Sequence, residues 1–144
     1  MEKINKEKNE KNEKIIGPLR KNKAGFGFVI CEEGGDVFIG KNNMGGAMNG
    51  DIVEVDLLPE YLWTKSREGI IDKVVERQYK EVVGTFEKSK KYGFVVPDDP
   101  KNTDDVFIRK GDFKGAESGD KVVALLIKYP DNNASAEGKI TEII

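Results

Sequence analysis

Histidine is absent from this chain of 144 residues, and cysteine occurs only once, at Cys31. Without histidine, the chain cannot form a Ser–His or Cys–His catalytic pair, or a metal site that depends on imidazole. A single cysteine excludes an internal disulfide and a four-thiolate zinc site. These two absences remove the histidine-dependent nucleophilic enzymes and the thiolate zinc proteins from consideration.

A long apolar run and a marked excess of one charge are also missing. No segment approaches the ~20 apolar residues of a membrane helix, and the N-terminus lacks the apolar core of a signal peptide. We therefore expect a cytoplasmic protein without membrane contact. With 24 lysines and arginines against 26 aspartates and glutamates, the net charge is -2. This balance argues mildly against a nucleic-acid binder, so the local placement of the cations matters more.

The chain does contain two copies of a motif in which one glycine separates two aromatic residues, Phe26-Gly27-Phe28 and Tyr92-Gly93-Phe94. Residues i and i+2 of a β-strand share a face, so the two rings of each copy are expected to project together. The glycine leaves the other side of the strand bare, which allows another backbone to approach closely.

A second pattern, Asp-Val-Phe-Ile, follows at 36–39 and again at 105–108. Its branched aliphatic residues are expected to face a core, which turns the phenylalanines toward solvent. Each half would then display three exposed and nearly coplanar rings, which we interpret as stacking surfaces for unpaired bases. The alternative is that some of the rings fill a core. The predicted stacking residues are Phe26, Phe28, Phe38, Tyr92, Phe94 and Phe107.

The two halves repeat over more than these motifs. Asp36 and Gly50 recur as Asp105 and Gly119, each 69 residues later. Short apolar alternations separated by glycine and proline predict five strands in each half. Their limits are 15–21, 26–31, 36–40, 51–58 and 68–76, and then 82–88, 92–97, 104–109, 121–127 and 138–143. An Asn-Gly and a Ser-Gly pair predict the tight turn before each fourth strand.

We therefore predict an all-β protein of two tandem five-stranded antiparallel barrels of the OB type. The predicted domains span 15–77 and 82–144, and residues 78–81 connect them. An SH3-like barrel is the alternative that periodicity leaves open. Residues 1–14 are mostly Lys, Glu and Asn, and this charged leader is expected to be disordered.

Cations lie at equivalent places in both halves, just before each aromatic motif and after the second Val-Phe-Ile strand. Such cations can hold phosphates while the rings take the bases, and this contribution weakens as salt rises. The alternative is an ordinary solvated loop. The cations predicted to bind nucleic acid are Arg20, Lys21, Lys23, Lys88, Lys90, Lys91 and Arg109.

An acidic stretch at 98–105 raises the question of a Mg²⁺-dependent nuclease site, because carboxylates hold Mg²⁺ in phosphoryl-transfer enzymes. These carboxylates, however, share one loop that contains a proline, and the first half has fewer of them. We interpret the stretch as a solvated loop. No catalytic residue, metal site or cofactor is predicted within this chain.

The aromatic motifs resemble the two RNA-binding motifs of bacterial cold-shock domains. The surrounding sequence is more specific and resembles the ribonuclease R family. The segments that carry this resemblance are Ala47-Met48-Asn49-Gly50-Asp51-Ile52-Val53, and Val83-Gly84-Thr85-Phe86 followed by Tyr92-Gly93-Phe94-Val95-Val96-Pro97-Asp98-Asp99. That family consists of 3′→5′ exoribonucleases of the RNase II type with two cold-shock domains ahead of the catalytic domain. The resemblance covers about residues 15–144 and implies that the six rings stack on RNA. Gly40 and Arg109 stand where cold-shock proteins usually have histidine.

The resemblance implies a module that binds single-stranded RNA as a monomer and guides it toward a downstream nuclease domain. That domain would hold the Mg²⁺ and perform the hydrolysis, so the chain is expected to be an N-terminal segment of a longer protein. Two alternatives remain: a free-standing RNA chaperone of two cold-shock domains, and a pair of barrels that binds another protein.

Overall fold

The computed structural model describes residues 14–131 and 134–144. The predicted leader lies outside these residues except for Lys14, which begins the first strand. The chain forms two compact units, one that ends at Glu76 and one that begins at Arg77. No helix among the described residues is long and apolar enough to span a membrane.

The first unit is a closed barrel of five strands, in the order β1-β2-β3-β5-β4. The strands are β1 (Lys14–Lys21), β2 (Gly27–Val29), β3 (Val37–Ile39), β4 (Ile52–Leu57) and β5 (Glu68–Glu76). Short 3₁₀ turns follow β3, at Lys41–Asn43, and β4, at Glu60–Leu62. The β3–β5 pair, which closes the barrel, is parallel, and the other pairs are antiparallel.

The second unit repeats this architecture. Its strands are β6 (Glu81–Lys88), β7 (Tyr92–Pro97), β8 (Val106–Arg109), β9 (Lys121–Lys128) and β10 (Ala136–Ile143). They close in the order β10-β8-β7-β6-β9, with one parallel pair, β8–β10. A 3₁₀ turn at Lys110–Asp112 follows β8.

The prediction of an all-β protein with two five-stranded OB barrels is confirmed, and the strand order identifies the OB type rather than the SH3-like alternative. The parallel closing pair is an addition to the antiparallel arrangement that the repeats predict. The predicted strand 26–31 is shorter at both ends in the structure, and at its start a tight turn, closed by the Asn22 N–H bond to the Phe26 carbonyl at 2.9 Å, includes Phe26. Whether each barrel folds independently within the predicted limits stays a prediction.

Strand alternation determines which side chains face the interior. In β3, Val37 and Ile39 are fully buried while Phe38 between them is half-exposed. The same holds in β8 for Val106 and Ile108 around Phe107. Each barrel thus has its own apolar core, and the aromatic residues of the repeated motifs lie on the outer surface. The first core contains Leu19, Val29, Val37, Ile39, Met44, Ala47, Val53, Val55 and Ile71.

The glycine between the two rings of each motif is required by close packing on the inner side of the strand. A Cβ atom on Gly27 would collide with the carbonyl oxygen of Arg20 on the neighbouring strand. On Gly93 it would lie 2.5 Å from the ring of Phe86. The expected approach of a neighbouring backbone is therefore found at Gly27, whereas Gly93 makes room mainly for a core side chain.

The turn before the fourth strand is built alike in both barrels. The Asp51 carboxylate accepts a hydrogen bond from the Met48 N–H at 2.9 Å, and the Asp120 carboxylate does the same for Glu117. These side-chain bonds satisfy backbone donors that the turn would otherwise leave unpaired. They fix the start of β4 and β9 against the strands that carry the cations.

Candidate nucleic-acid interface

Three aromatic rings gather on the outer surface of each barrel. We call Phe26, Phe28 and Phe38 the first ring cluster, and Tyr92, Phe94 and Phe107 the second ring cluster. Phe26, Phe28 and Tyr92 are 36%, 39% and 40% exposed, and the other three rings are half-buried against their neighbours. The structure therefore brings together all six rings that the sequence singles out, as two groups of three.

The rings within a cluster touch one another at steep angles. Phe38 lies 5.6 Å from Phe26 and 5.4 Å from Phe28, with interplanar angles of 46° and 67°. In the second cluster all three rings are in mutual contact at 5.5–5.8 Å and 37–86°. Three of these five contacts are edge-to-face, which suits the charge distribution of aromatic rings, and two are tilted. The expectation of nearly coplanar rings is wrong, and each ring offers its own face or edge to a ligand.

Cross-strand pairing places two rings of each cluster in a line of four side chains. Residues paired between neighbouring strands project from the same face of a sheet. The first row consists of Arg20, Phe28, Phe38 and Glu68, and the second row of Glu87, Phe94, Phe107 and Glu137. The parallel closing strands supply the two glutamates at the end, which sequence reasoning missed.

The two rows differ at one charged position. Arg20 pairs with Phe28 in the first barrel, whereas Glu87 pairs with Phe94 at the equivalent position of the second. Both side chains are exposed. The first ring cluster therefore lies between a cation and a carboxylate, and the second between two carboxylates.

The two glutamates that end the rows already have partners. Glu137, which is 11% exposed, forms an ion pair with Arg109 at 2.9 Å. Glu68 accepts hydrogen bonds from the backbone N–H and the hydroxyl of Thr64, at 2.5 and 3.1 Å. Arg109 pairs with Tyr92 across the strands, so this cation lies on the ring face but is engaged there.

Lys21 and Lys88 lie on the other face of their strands. They pair with Gly27 and Gly93, whose positions face inward, and not with the rings. The Lys21 ammonium donates to the carbonyl of Ala47 at 3.3 Å, and the Lys88 ammonium pairs with Glu117 at 3.3 Å. These two cations are not brought together with the ring clusters.

Lys23, Lys90 and Lys91 lie in the short turns between the first two strands of their barrels, and all three are exposed. Each turn is closed by a backbone bond, from Asn22 N–H to the Phe26 carbonyl and from Ser89 N–H to the Tyr92 carbonyl, at 2.9 and 2.8 Å. The turns thus place these lysines close in sequence to Phe26 and Tyr92, and Arg20 is paired across the strands with Phe28.

The acidic stretch of the second barrel is engaged in local bonds. Asp98 pairs with Lys121, and the Asp99 carboxylate accepts from the Lys101 N–H at 2.9 Å. Partial burial, and then the neighbouring Asp104, raise the pKa of the Asp105 carboxyl. Within the described ranges, no group of three histidine, cysteine, aspartate or glutamate residues is arranged to hold a metal ion.

Two further features of the first barrel lie apart from the rings. The Trp63 indole N–H donates to the Leu58 carbonyl at 2.8 Å, which ties down the loop between β4 and β5. Burial raises the pKa of the Cys31 thiol, which lowers the share of thiolate at neutral pH. Cys31 also contributes to a groove of about 360 Å³ with Ile16, Pro18 and Ile30.

Two domain families match this chain in tandem. Residues 17–74 match the ribonuclease B OB domain, and residues 94–144 match the cold shock domain. Ribonuclease R of Thermotoga maritima is 31% identical over 90% of this chain, and Ribonuclease R 2 of Lactococcus lactis is 32% identical over 89%. The chain spans about a fifth of the length of these relatives, 18% and 21% respectively.

Solved structures support the same architecture. Two structures of Mycoplasma genitalium RNase R, the apo form and the complex with ribose methylated single-stranded RNA, each superpose on this chain with a TM-score of 0.74. The superposition covers 90% of this chain and 21% of the Mycoplasma chain, at 16% sequence identity. Yeast Ssd1, described as a pseudonuclease, superposes with a TM-score of 0.72 over 99% of this chain and 24% of its own, at 18% identity. The chain therefore belongs to the ribonuclease B OB domain family in its first barrel and to the cold shock domain family in its second, in a tandem that is similar to ribonuclease R.

Proposed function

We propose that this chain binds single-stranded RNA on its two ring clusters and guides the strand toward the exoribonuclease domain of a ribonuclease R-type protein. Hydrolysis, and the Mg²⁺ that supports it, belong to that domain. The chain acts as a monomer, because each ring cluster is complete within one barrel.

The observation that carries this proposal is the occurrence of two exposed three-ring clusters at equivalent places. Aromatic faces stack on unpaired bases of any sequence, and each stacked base contributes ~1–3 kcal/mol. The exposed lysines in the turns that lead into Phe26 and Tyr92 supply cations that can pair with backbone phosphates.

The relatives lend further support. The matched proteins are named ribonuclease R, and one solved relative was captured with single-stranded RNA. The same fold also occurs in a protein described as a pseudonuclease, which agrees with a binding role that does not itself require hydrolysis.

Fluorescence anisotropy of a 5′-labelled uridine dodecamer tests the proposal with the full chain. We expect saturable binding that weakens as salt rises. The double variant Phe28→Ala/Phe94→Ala removes one ring from each cluster and should weaken binding at least about tenfold, since two stacking contacts are lost. Tyr61→Ala is the matched control, because Tyr61 is 84% exposed in a loop outside both ring clusters.

Unchanged affinity in the double variant, or equal weakening in the Tyr61 control, would argue against the ring clusters as the binding surface. Far-UV circular dichroism checks that the double variant keeps its strands, as expected for outer-surface side chains. When the same RNA is incubated with the chain and Mg²⁺ and then run on a gel, it should remain at full length. Shortened products would mean that the two barrels hydrolyse RNA themselves.

A further inference from the structure

Glu87 is the unexplained residue of the second row. It is exposed and is paired across the strands with Phe94. The glutamate at the other end of this row, Glu137, is ion-paired with Arg109 at 2.9 Å. Within residues 14–131 and 134–144, no ion pair or hydrogen bond engages the Glu87 carboxylate.

A free carboxylate is an unfavourable neighbour for a phosphate but a good partner for the edge of a base. An ionised carboxylate can only accept hydrogen bonds, through two adjacent oxygens. Cross-strand neighbours have Cβ atoms about 4.5–5.5 Å apart. A base that stacks on Phe94 therefore presents its edge within reach of the Glu87 side chain.

Guanine is the base that suits two acceptors side by side. Its Watson–Crick edge offers two neighbouring donors, N1–H and the N2 amino group. Adenine and cytosine place one amino donor beside an acceptor, and uracil has a single N–H between two carbonyls. Single-stranded RNA exposes these edges to a protein that holds the bases by stacking.

We infer that Glu87 makes the second ring cluster selective for guanine, through a two-point hydrogen bond to N1–H and N2–H. This inference rests on the proposed RNA binding and adds base selectivity to it. The first ring cluster has no counterpart, because Arg20 occupies the equivalent position and serves the phosphates instead.

The test compares RNA decamers in which every second base is varied, so that the register of binding does not matter. The full chain should bind alternating uridine–guanosine about fivefold more tightly than alternating uridine–inosine. Inosine lacks only the N2 amino group and keeps O6 and N7, the atoms that an arginine contacts. Any contribution of Arg20 to guanine therefore cancels in this ratio.

Glu87→Gln keeps the shape of the side chain but replaces one acceptor by a donor, and it should bring the guanosine-to-inosine ratio close to one. Glu81→Gln is the matched control. Glu81 is exposed and lies on the same face of the same strand, but it pairs with Leu125 rather than with a ring. This control removes the same charge and should keep the full ratio.

The outcomes separate the two ideas. If the decamers bind but Glu87→Gln keeps the ratio, or Glu81→Gln also abolishes it, the role of Glu87 is overturned and RNA binding stands. Tighter binding of the cytidine or adenosine decamer than of the guanosine one overturns it as well. If none of the decamers binds, the proposed function fails, and the selectivity fails with it.

Discussion

Leu19 and Met44 occupy in the first barrel the places that Phe86 and Phe113 occupy in the second. The two phenylalanines are in edge-to-face contact, with centroids 4.9 Å apart and an interplanar angle of 67°. On the outer surface, in contrast, both barrels present three aromatic rings. A core can be filled by aliphatic or aromatic side chains of suitable total volume, but core packing gives no reason for three aromatic rings to recur on both outer surfaces.

The first prediction tests the two cores, where we expect the largest changes in the free energy of unfolding. Phe86→Ala should lower the free energy of unfolding of the second barrel by about 3–5 kcal/mol, and Leu19→Ala that of the first by about 2–5 kcal/mol. Both side chains are fully buried, so each truncation removes apolar burial and leaves a cavity.

Urea denaturation with two probes can assign each loss to its barrel. Trp63, the sole tryptophan of the chain, lies in the first barrel, so its fluorescence follows that barrel, while far-UV circular dichroism follows both. Leu19→Ala should shift the tryptophan transition, and Phe86→Ala should leave it in place. A shift of that transition in Phe86→Ala would mean that the two barrels unfold together.

A second prediction concerns the one charged position at which the rows differ. Arg20→Glu gives the first row the charges of the second, and Glu87→Arg does the reverse. Each phosphate contact to a single strand contributes about -0.7 to the slope of log K against log salt. We expect Arg20→Glu to weaken RNA binding and to flatten the slope by about this amount, and Glu87→Arg to strengthen binding and steepen the slope.

Anisotropy titrations of labelled RNA at several salt concentrations measure both slopes. Glu81→Arg serves as the control for a general charge effect, since Glu81 lies on the same strand but away from the rings. Equal steepening in Glu81→Arg and Glu87→Arg would remove the distinction between the rows and leave only the net charge.

The smallest predicted effect compares Asp36 with its repeat, Asp105. The Asp36 carboxylate accepts a hydrogen bond from the Cys31 N–H at 3.0 Å, while burial and Asp104 raise the pKa of Asp105. A raised pKa means that the ionised form destabilises the folded state. Asp105→Asn should therefore stabilise the chain at pH 7 by less than about 0.5 kcal/mol, because water screens this partly exposed group.

The dependence on pH gives the sign of this effect. Below the ordinary pKa of an aspartate, the carboxyl is protonated in both folded and unfolded states, so the difference between Asp105→Asn and the parent should vanish. Asp36→Asn keeps an acceptor for Cys31 and should show no such gain at pH 7. Thermal unfolding at pH 7 and pH 3 measures both variants, and a gain at pH 7 in Asp36→Asn alone would reverse the assignment.

Local periodicity was enough to predict much of the fold. The alternation of Val37, Phe38 and Ile39 determines which residues are buried, and its recurrence at Val106 to Ile108 predicts a second barrel. The same rule separates Arg20 from Lys21, since consecutive strand residues face opposite sides. Applied to both cations, it would have removed Lys21 and Lys88 from the ring face.

The glutamates that end the two rows, Glu68 and Glu137, could not be predicted from local periodicity. Glu68 reaches Phe38, and Glu137 reaches Phe107, only through the parallel pairing that closes each barrel. Register between strands distant in sequence depends on the loops and on the packing of the whole barrel. The ion pair between Arg109 and Glu137 follows from that register. The sequence alone therefore gives no sign that Arg109 has a partner.

The parallel closing pair also has a consequence for the order of events during synthesis. Each row joins the first, second, third and last strands of its barrel, so the surface from Arg20 to Glu68 cannot assemble until the last strand has been made. Contacts between residues so far apart in sequence slow the folding of small β-barrels. A ribosome-bound chain that ends before Glu137 should therefore carry one finished row, and the second should become competent only when β10 docks beside β8.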